Sequence, residues 1–350
     1  MRRPLLFLTS TALGLALMPP VAFASPSAPA LTAPAATPAE RPATSVRAAT
    51  FNVRTARAPQ DKRTWLQRAP DVAREILSRN PGIVMMQELG PGRADGRKGA
   101  INGAPRQTTS LTSTLSRLGG GRYRLVRSTA YARPGAVHGT LGSRILYDSS
   151  RYRLLSSCPE TTGRLNYNPA CGFDLPLAAG DGPARRRSAA FAKFQDRRTG
   201  HQFWVASAHL DERHSKSGAT EAKYNRLRAA QAATVADTVA RRNRNYLPVI
   251  FGGDLNSWQT DRGRYAPYRA LVARGYGNAV NAPTRTNWAY PTVNHFKTWV
   301  KRSKSRYGGV RLDVVMVRGS RGFTRYENKM VNPDSTRPSD HNVVVADFRI

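Results

Sequence analysis

The segment PVIFGGDLNSW, residues 248–258, sets the pattern for the whole chain. Pro248–Phe251 is a short apolar run of strand type, and Asp254 and Asn256 follow it across two glycines. It reads as a buried strand with an acid and an amide at its mouth. The arrangement recurs along the chain. Asn52 follows Ala-Ala-Thr-Phe, Glu88 follows IVMMQ (83–87), His209 follows a run that begins FWVA (203–206), and Asp340-His341 precede VVV (343–345). A carboxylate at the mouth of a buried strand is costly without a cation or donor partner. Several together imply a shared hard cation, and oxygen ligands such as Glu88 and Asp340 suit Mg²⁺ or Mn²⁺ rather than zinc.

Outward from these segments, apolar patterning predicts strands at 46–53, 144–147, 151–155, 189–194, 312–317 and 343–348. Arg144–Tyr147 and Arg151–Leu155 flank Asp148-Ser149-Ser150 and are expected to pair. Helical spacing occurs over Arg63–Ser78 (Trp65, Ala69, Val72, Ile76), where Pro70 is expected to shift the start, and over Thr220–Arg241. Strands outnumber helices, and the apolar runs are β-branched. A layered α+β or α/β protein is expected, not a helix bundle. No repeat of 20–50 residues and no second low-complexity linker interrupts residues 45–350, which read as one domain.

The amino terminus differs in kind. Residues 1–24 read as a secretory signal peptide: Arg2 and Arg3, an apolar stretch from Leu5 to Leu17, then Ala22-Phe23-Ala24 as a cleavage pattern. Residues 25–44 are Ala/Pro/Thr-rich and read as an extended linker. The expected location is therefore extracellular. In that oxidising setting Cys158 and Cys171 are expected to form a disulfide. Two cysteines exclude a zinc-finger array, an iron–sulfur protein and a disulfide-stapled miniprotein. Beyond residue 25 no apolar run approaches the ~18 residues of a membrane span. No stable membrane insertion and no obligate protein partner are expected.

Charge is the strongest global feature. The 350 residues carry 55 Lys+Arg against 22 Asp+Glu, a formal net charge of +33, and loss of the signal peptide leaves +31. Of the basic residues 46 are Arg and 9 Lys, which points to a G+C-rich coding bias, but such a bias does not create the excess. A field of this size attracts polyanions, nucleic acid first and anionic membrane or cell wall second. The Arg185-Arg186-Arg187 run reads first as an exposed loop and second as a phosphate-contacting patch, while the bases from Lys301 to Arg306 read equally as a solvated loop or as lining of the substrate groove.

Taken in order, six segments resemble the endonuclease/exonuclease/phosphatase superfamily, the DNase I-like fold. They are ATFNVRT (49–55), IVMMQEL (83–89), FWVASAHLD (203–211), PVIFGGDLNSW, VRLDVVMV (310–317) and PSDHNVVVADF (338–348). The resemblance covers residues 46–350. It implies an α+β four-layer sandwich, two mixed sheets packed face to face with outer helices. It also implies roles. Asn52, Glu88 and Asp340 would hold Mg²⁺ or Mn²⁺. His209 would donate to a non-bridging phosphate oxygen. Asp254 would position or deprotonate the attacking water, with Asn256 holding that water or the phosphate. His341 would activate the water or orient the phosphate, with Asp313 fixing its tautomer. Which of His341 and Asp254 is the base stays open. Arg144, in HGTLGSRILYD (138–148), and Arg226, on the helix after His209, are the candidate substrate contacts. The family also allows a structural Ca²⁺ at no residues assigned here. The expected activity is secreted, metal-dependent hydrolysis of phosphodiester bonds in nucleic acid, DNA before RNA. The alternative is a secreted phosphodiesterase or phosphatase acting on lipid head groups or small phosphate esters.

Overall fold

The computed structural model describes residues 43–58, 62–129, 142–160, 170–258, 265–297, 299–304, 308–330 and 337–350. The expected signal peptide and nearly all of the expected linker lie outside them. Thr44 exchanges two backbone hydrogen bonds with Ile350, at 2.9 and 3.0 Å, so the first and last strands are joined from their outer ends.

The apolar runs assemble into two sheets. The first holds β1 (Ser45–Asn52), β2 (Ile83–Gln87), β3 (Tyr123–Leu125), β4 (Arg144–Asp148), β11 (Thr284–Thr286), β13 (Gly322–Lys329) and β14 (Val343–Arg349), ordered β11-β13-β14-β1-β2-β4-β3. The second holds β5 (Tyr152–Leu154), β7 (Ser188–Asp196), β8 (Gln202–His209), β9 (Val249–Asp254), β10 (Tyr276–Asn278) and β12 (Asp313–Arg318), ordered β10-β12-β9-β8-β7-β5, with β6 (Gly172–Asp174) also on β7. Both sheets are mixed. β1 runs parallel to β2 and antiparallel to β14, while β9 runs parallel to β8 and antiparallel to β12.

The period of two along each strand sorts side chains between layers. Val46, Ala48, Ile83, Met85 and Ile145 of the first sheet meet Phe194, Phe203, Val205, Ile250 and Val315 of the second. The alternate residues Ala49, Phe51, Val84 and Met86 pack under α1 (Trp65–Arg79) and α2 (Gln107–Leu115). On the far side Phe191, Trp204, Ala206 and Phe251 pack under α3 (Gly218–Arg242) and α4 (Ala266–Val272). The result is the expected α+β sandwich of helix, sheet, sheet and helix layers. Gly252 marks a close approach of the sheets, because a Cβ there would lie 2.3 Å from Met85 Cε and 2.8 Å from Met85 Cβ.

Two local expectations are corrected. β4 and β5 do not pair: β4 lies between β2 and β3, whereas β5 pairs with β7 in the other sheet. The Asp148 carboxylate accepts from Ser150 N at 2.9 Å and from Arg122 Nε at 2.9 Å, fixing the turn at which the chain changes sheets. Ile145 and Tyr152 then enter the central core from opposite sides. Pro70 does not shift the start of α1 but sits inside it. A capping box starts the helix earlier: Thr64 N donates to Gln67 Oε1 at 2.8 Å, and Thr64 Oγ1 accepts from Gln67 N. Cys158 and Cys171 are joined in a disulfide with Cα atoms 5.4 Å apart.

Candidate active site

The registers bring the polar strand ends together. His209 lies beside Asp254 across the parallel β8–β9 pair, and Asp313 lies opposite Asp254 across the antiparallel β9–β12 pair. In the other sheet Asn52 lies beside Gln87, one residue before Glu88. Asn52 then joins the sheets: its Nδ2 donates to Glu88 Oε1 and to Asp254 Oδ2, both at 3.1 Å. One short amide thus links acids that are 166 residues apart in sequence, and both are buried.

Glu88 takes φ +56°, in the left-handed region that costs an L-residue about 1–2 kcal/mol. This conformation ends β2 and turns the carboxylate toward Asn52. Its other oxygen accepts from Thr55 N at 2.9 Å. Arg54 and Asn256 also have positive φ, +59° and +46°. Three such residues around one cluster are the signature of a backbone shaped for a site rather than for local comfort. Asn256 N donates to Asp254 Oδ1 at 2.9 Å, and its Nδ2 donates to Leu210 O at 3.0 Å, so it braces the loops after β8 and β9.

His341 completes the cluster. Its Nδ1 lies 2.9 Å from Asp313 Oδ2, and its Nε2 lies 3.7 Å from Asp254 Oδ2. His209 Nε2 is 3.4 Å from the same Asp254 oxygen. Burial pushes the Asp254 carboxyl up to about 6, with Asp313 adding to the rise and His341 opposing it. Burial pulls His341 down, but the negative fields of Asp313 and Asp254 outweigh it and hold the imidazole well above its ordinary value. Asp313 is wholly buried, and its Oδ1 has no hydrogen-bond partner among the described residues.

Asp340 is set slightly apart. Its carboxylate contacts Ser339 Oγ at 3.2 Å and Arg54 Nη1 at 3.3 Å. Ser339 is buried and donates to Asn52 O at 2.6 Å, tying the segment before β14 to the end of β1. Among the described residues, the acids and histidines that fit one ion by proximity are Asp254, Asp313 and His341, whose ligand atoms lie within 4.8 Å of one another. This trio differs from the expected Asn52, Glu88 and Asp340 set, in which Glu88 and Asn52 touch while Asp340 faces a guanidinium. Both sets are rich in carboxylate oxygen, and an orphaned buried oxygen on Asp313 is what a cation or water satisfies. The residues present therefore fit a divalent ion without specifying which.

Several supports were not legible in the sequence. Arg68 of α1 is buried, and its guanidinium donates to Val53 O and Pro338 O, both at 2.8 Å, and to Arg54 O at 3.1 Å. One side chain thereby holds the loops that carry Thr55 and Asp340. Gln107 accepts from Gly90 N and donates to Arg54 O at 3.0 and 3.1 Å. Buried Asn294, Asn342 and Asn328 form an amide chain behind His341, with links of 2.9 and 3.0 Å. The flanking positions in SDHN were the one available signal, since polar residues beside a buried histidine must themselves find partners.

The two candidate substrate arginines differ in exposure. Arg144 is wholly buried, on the same face of the sheet as Met86 and Leu146, and its Nη1 donates to Ser143 O at 2.8 Å. Arg226 is exposed on α3. The buried arginine of that helix is Arg228, which donates to Glu221 Oε1 at 2.7 Å and Arg213 O at 2.6 Å.

A family model described as Endonuclease/Exonuclease/phosphatase family matches residues 49–341, most of the chain and every residue of the cluster. The chain belongs to this family. Its members are phosphoesterases, nucleases and phosphatases alike. Solved structures share the fold. A family protein from Bacteroides vulgatus is 20% identical with a TM-score of 0.61, covering 87% of this chain and 98% of its own. The mannosyl-6-phosphatase Bt3783 of Bacteroides thetaiotaomicron is 20% identical with a TM-score of 0.58, covering 87% and 99%. D. rerio TDP2, solved with a single-strand DNA product, is 15% identical with a TM-score of 0.52, covering 87% and 99%. No curated protein matches the chain in sequence. No helix among the described residues is long and apolar enough to cross a membrane.

Proposed function

We propose that this family member is an exported, metal-dependent nuclease that hydrolyses phosphodiester bonds of nucleic acid, DNA foremost. The observation that carries the choice of substrate is the charge, +33 for the chain and +31 without residues 1–24. Phosphate backbone contacts supply most non-specific affinity for nucleic acid, and a small phosphate ester needs no such field.

The residues divide the work. Glu88, with Asn52 and Asp340, would hold Mg²⁺ or Mn²⁺. Such an ion polarises a phosphate oxygen and stabilises the departing alkoxide. Asp254 accepts a proton from the attacking water, and Asn256 keeps its carboxylate in place through the backbone contact described above. His341 orients the phosphate, with the Asp313 contact fixing the direction of its ring and the negative charge beside it favouring the imidazolium. His209 donates to a non-bridging oxygen as charge builds on the pentacovalent phosphorus. Arg54 adds a fixed positive charge beside Asp340. TDP2 and the mannosyl-6-phosphatase show that the fold alone does not select the substrate.

The test is digestion of supercoiled plasmid by the mature chain with Mg²⁺, with EDTA, and with His341→Ala in parallel. Metal-dependent nicking that the variant loses is the expected result. An intact plasmid, together with turnover of sugar phosphates or lipid head groups, would replace nucleic acid by the alternative substrate class. Export is tested separately: the protein should appear in culture medium beginning at Ser25.

A further inference from the structure

Four of the five tryptophans are buried or half-buried, namely Trp65, Trp204, Trp258 and Trp288. Trp299 is the exception, with 83% of its surface exposed. An indole left in water forgoes the stabilisation that burial of its large apolar area provides. Its surroundings are as unusual as its exposure. Lys297, Lys301, Arg302 and Lys304 are all exposed, and no acidic residue occurs between Asp261 and Asp313.

This segment is fixed to the active site at its near end. Asn294 N and His295 N both donate to Asp340 O, at 2.7 and 3.0 Å, one residue before His341. The Phe296 ring lies 5.8 Å from the guanidinium of Arg68, the same group that holds the loops after β1 and before β14. At its far end Ser303 N donates to Ala289 O at 2.8 Å. Trp299 therefore lies four residues after His295, which is bonded to the residue before His341, and four before the Ser303 tether, with cations on either side of it in sequence.

We propose that Trp299 is a stacking platform for an unpaired base of single-stranded nucleic acid, with Lys297, Lys301, Arg302 and Lys304 contacting the flanking phosphates. This rests on the nucleic-acid reading above and narrows it to a substrate with accessible base faces. An aromatic face stacks on any base, and neighbouring cations track the backbone, so the site favours single strands without reading sequence. A paired duplex hides its base faces and gains only the phosphate contacts.

The experiment is equilibrium binding of labelled oligonucleotides to the mature chain in EDTA, which prevents cleavage. Three probes of equal length are compared: a single strand, a duplex, and a single strand made entirely of abasic sites. Trp299→Ala should weaken binding of the base-bearing single strand about 5- to 150-fold. It should leave the abasic strand, the melting temperature and the slope of log K against log salt unchanged. Trp299→Phe should recover most of the loss. Lys301→Ala with Arg302→Ala should instead flatten the salt slope by about 0.7 for each phosphate that is no longer neutralised. Equal binding of the base-bearing strand by wild type and Trp299→Ala would overturn the stacking role while leaving a nuclease intact. Equal weakening of base-bearing and abasic strands would also overturn it. Failure of the wild type to bind any of the probes would defeat both readings together.

Discussion

Asp313 shows how a single buried atom constrains the chemistry. One of its oxygens meets His341 Nδ1 at 2.9 Å, and the other has no partner among the described residues. Asp313→Asn keeps the size but presents an amide where His341 needs a carboxylate. Hydrolysis by this variant should lose about 10²–10⁴ in kcat with little change in KM; loss confined to KM would show that the pair serves only binding. The same group sets a pH dependence in the metal-free chain. His341 is held well above 6.5, so its contribution to stability is complete below 6.5 and is lost as pH rises through the elevated value. Asp254 is lifted from 3.8 to about 6, so the fold favours its neutral form, and stability falls as pH rises between those values. Both effects make the metal-free protein less stable toward high pH. In EDTA the melting temperature should fall between pH 6 and pH 9, and fall less in Asp313→Asn, which lacks the attraction that raises His341. Parallel profiles for the two proteins would count against this linkage.

At the scale of elements, the site depends on how closely layers approach. Gly252 on β9 faces Met85 on β2, and an added methyl would meet Met85 at 2.3 Å. Gly252→Ala should cost about 1–3 kcal/mol in urea unfolding. Met85→Ala, itself destabilising, should absorb most of that cost in the double variant; strictly additive effects would mean that the two side chains do not compete for space. Gly253 is a harder case, since its added Cβ would meet the Ala208 carbonyl oxygen, which is backbone and cannot be trimmed away. The link from α1 to the site is Arg68. Arg68→Met leaves the carbonyls of Val53, Arg54 and Pro338 without this donor, and should cost about 2–4 kcal/mol. Hydrolysis should drop with it, because Thr55 and Asp340 lie on the two loops that Arg68 joins. Full activity in a folded Arg68→Met protein would show that the loops hold their places unaided.

At the scale of the molecule, the proposed polyanionic substrate implies a response to salt. A chain with a formal net charge of +33 facing a polyanion should show log(kcat/KM) on DNA falling linearly with log salt. Hydrolysis of a small phosphodiester such as bis(p-nitrophenyl) phosphate should stay nearly flat over the same range. A flat response on DNA would make the charge irrelevant to catalysis and return attention to small or lipid substrates. The sandwich also brings the cluster together from both sheets. β1 and β2 on one side and β8, β9 and β12 on the other each contribute residues from a strand end.

Local patterning settled much of this before any tertiary contact was known. Short, nearly continuous apolar runs mark β1, β2, β7, β8, β9, β12 and β14, because each strand is covered on one face by the other sheet and on the other by a helix layer. The polar ends Asn52, Glu88, His209, Asp254, Asp340 and His341 were legible as groups too costly to bury alone, and Asp313 through the resemblance of VRLDVVMV to a family segment. Other features left no local trace. α2 is Gln107–Leu115, QTTSLTSTL, whose Ser and Thr residues give little helical signal, and packing against α1 and β3 decides its form. β4 and β5 look like a hairpin until partners on two different sheets claim them. Arg68 resembles any other arginine until the fold brings three carbonyls from two distant loops around it. The separation is physical: sequence specifies which groups must find partners, and register and layer packing, acting between residues hundreds of positions apart, decide which partners they find.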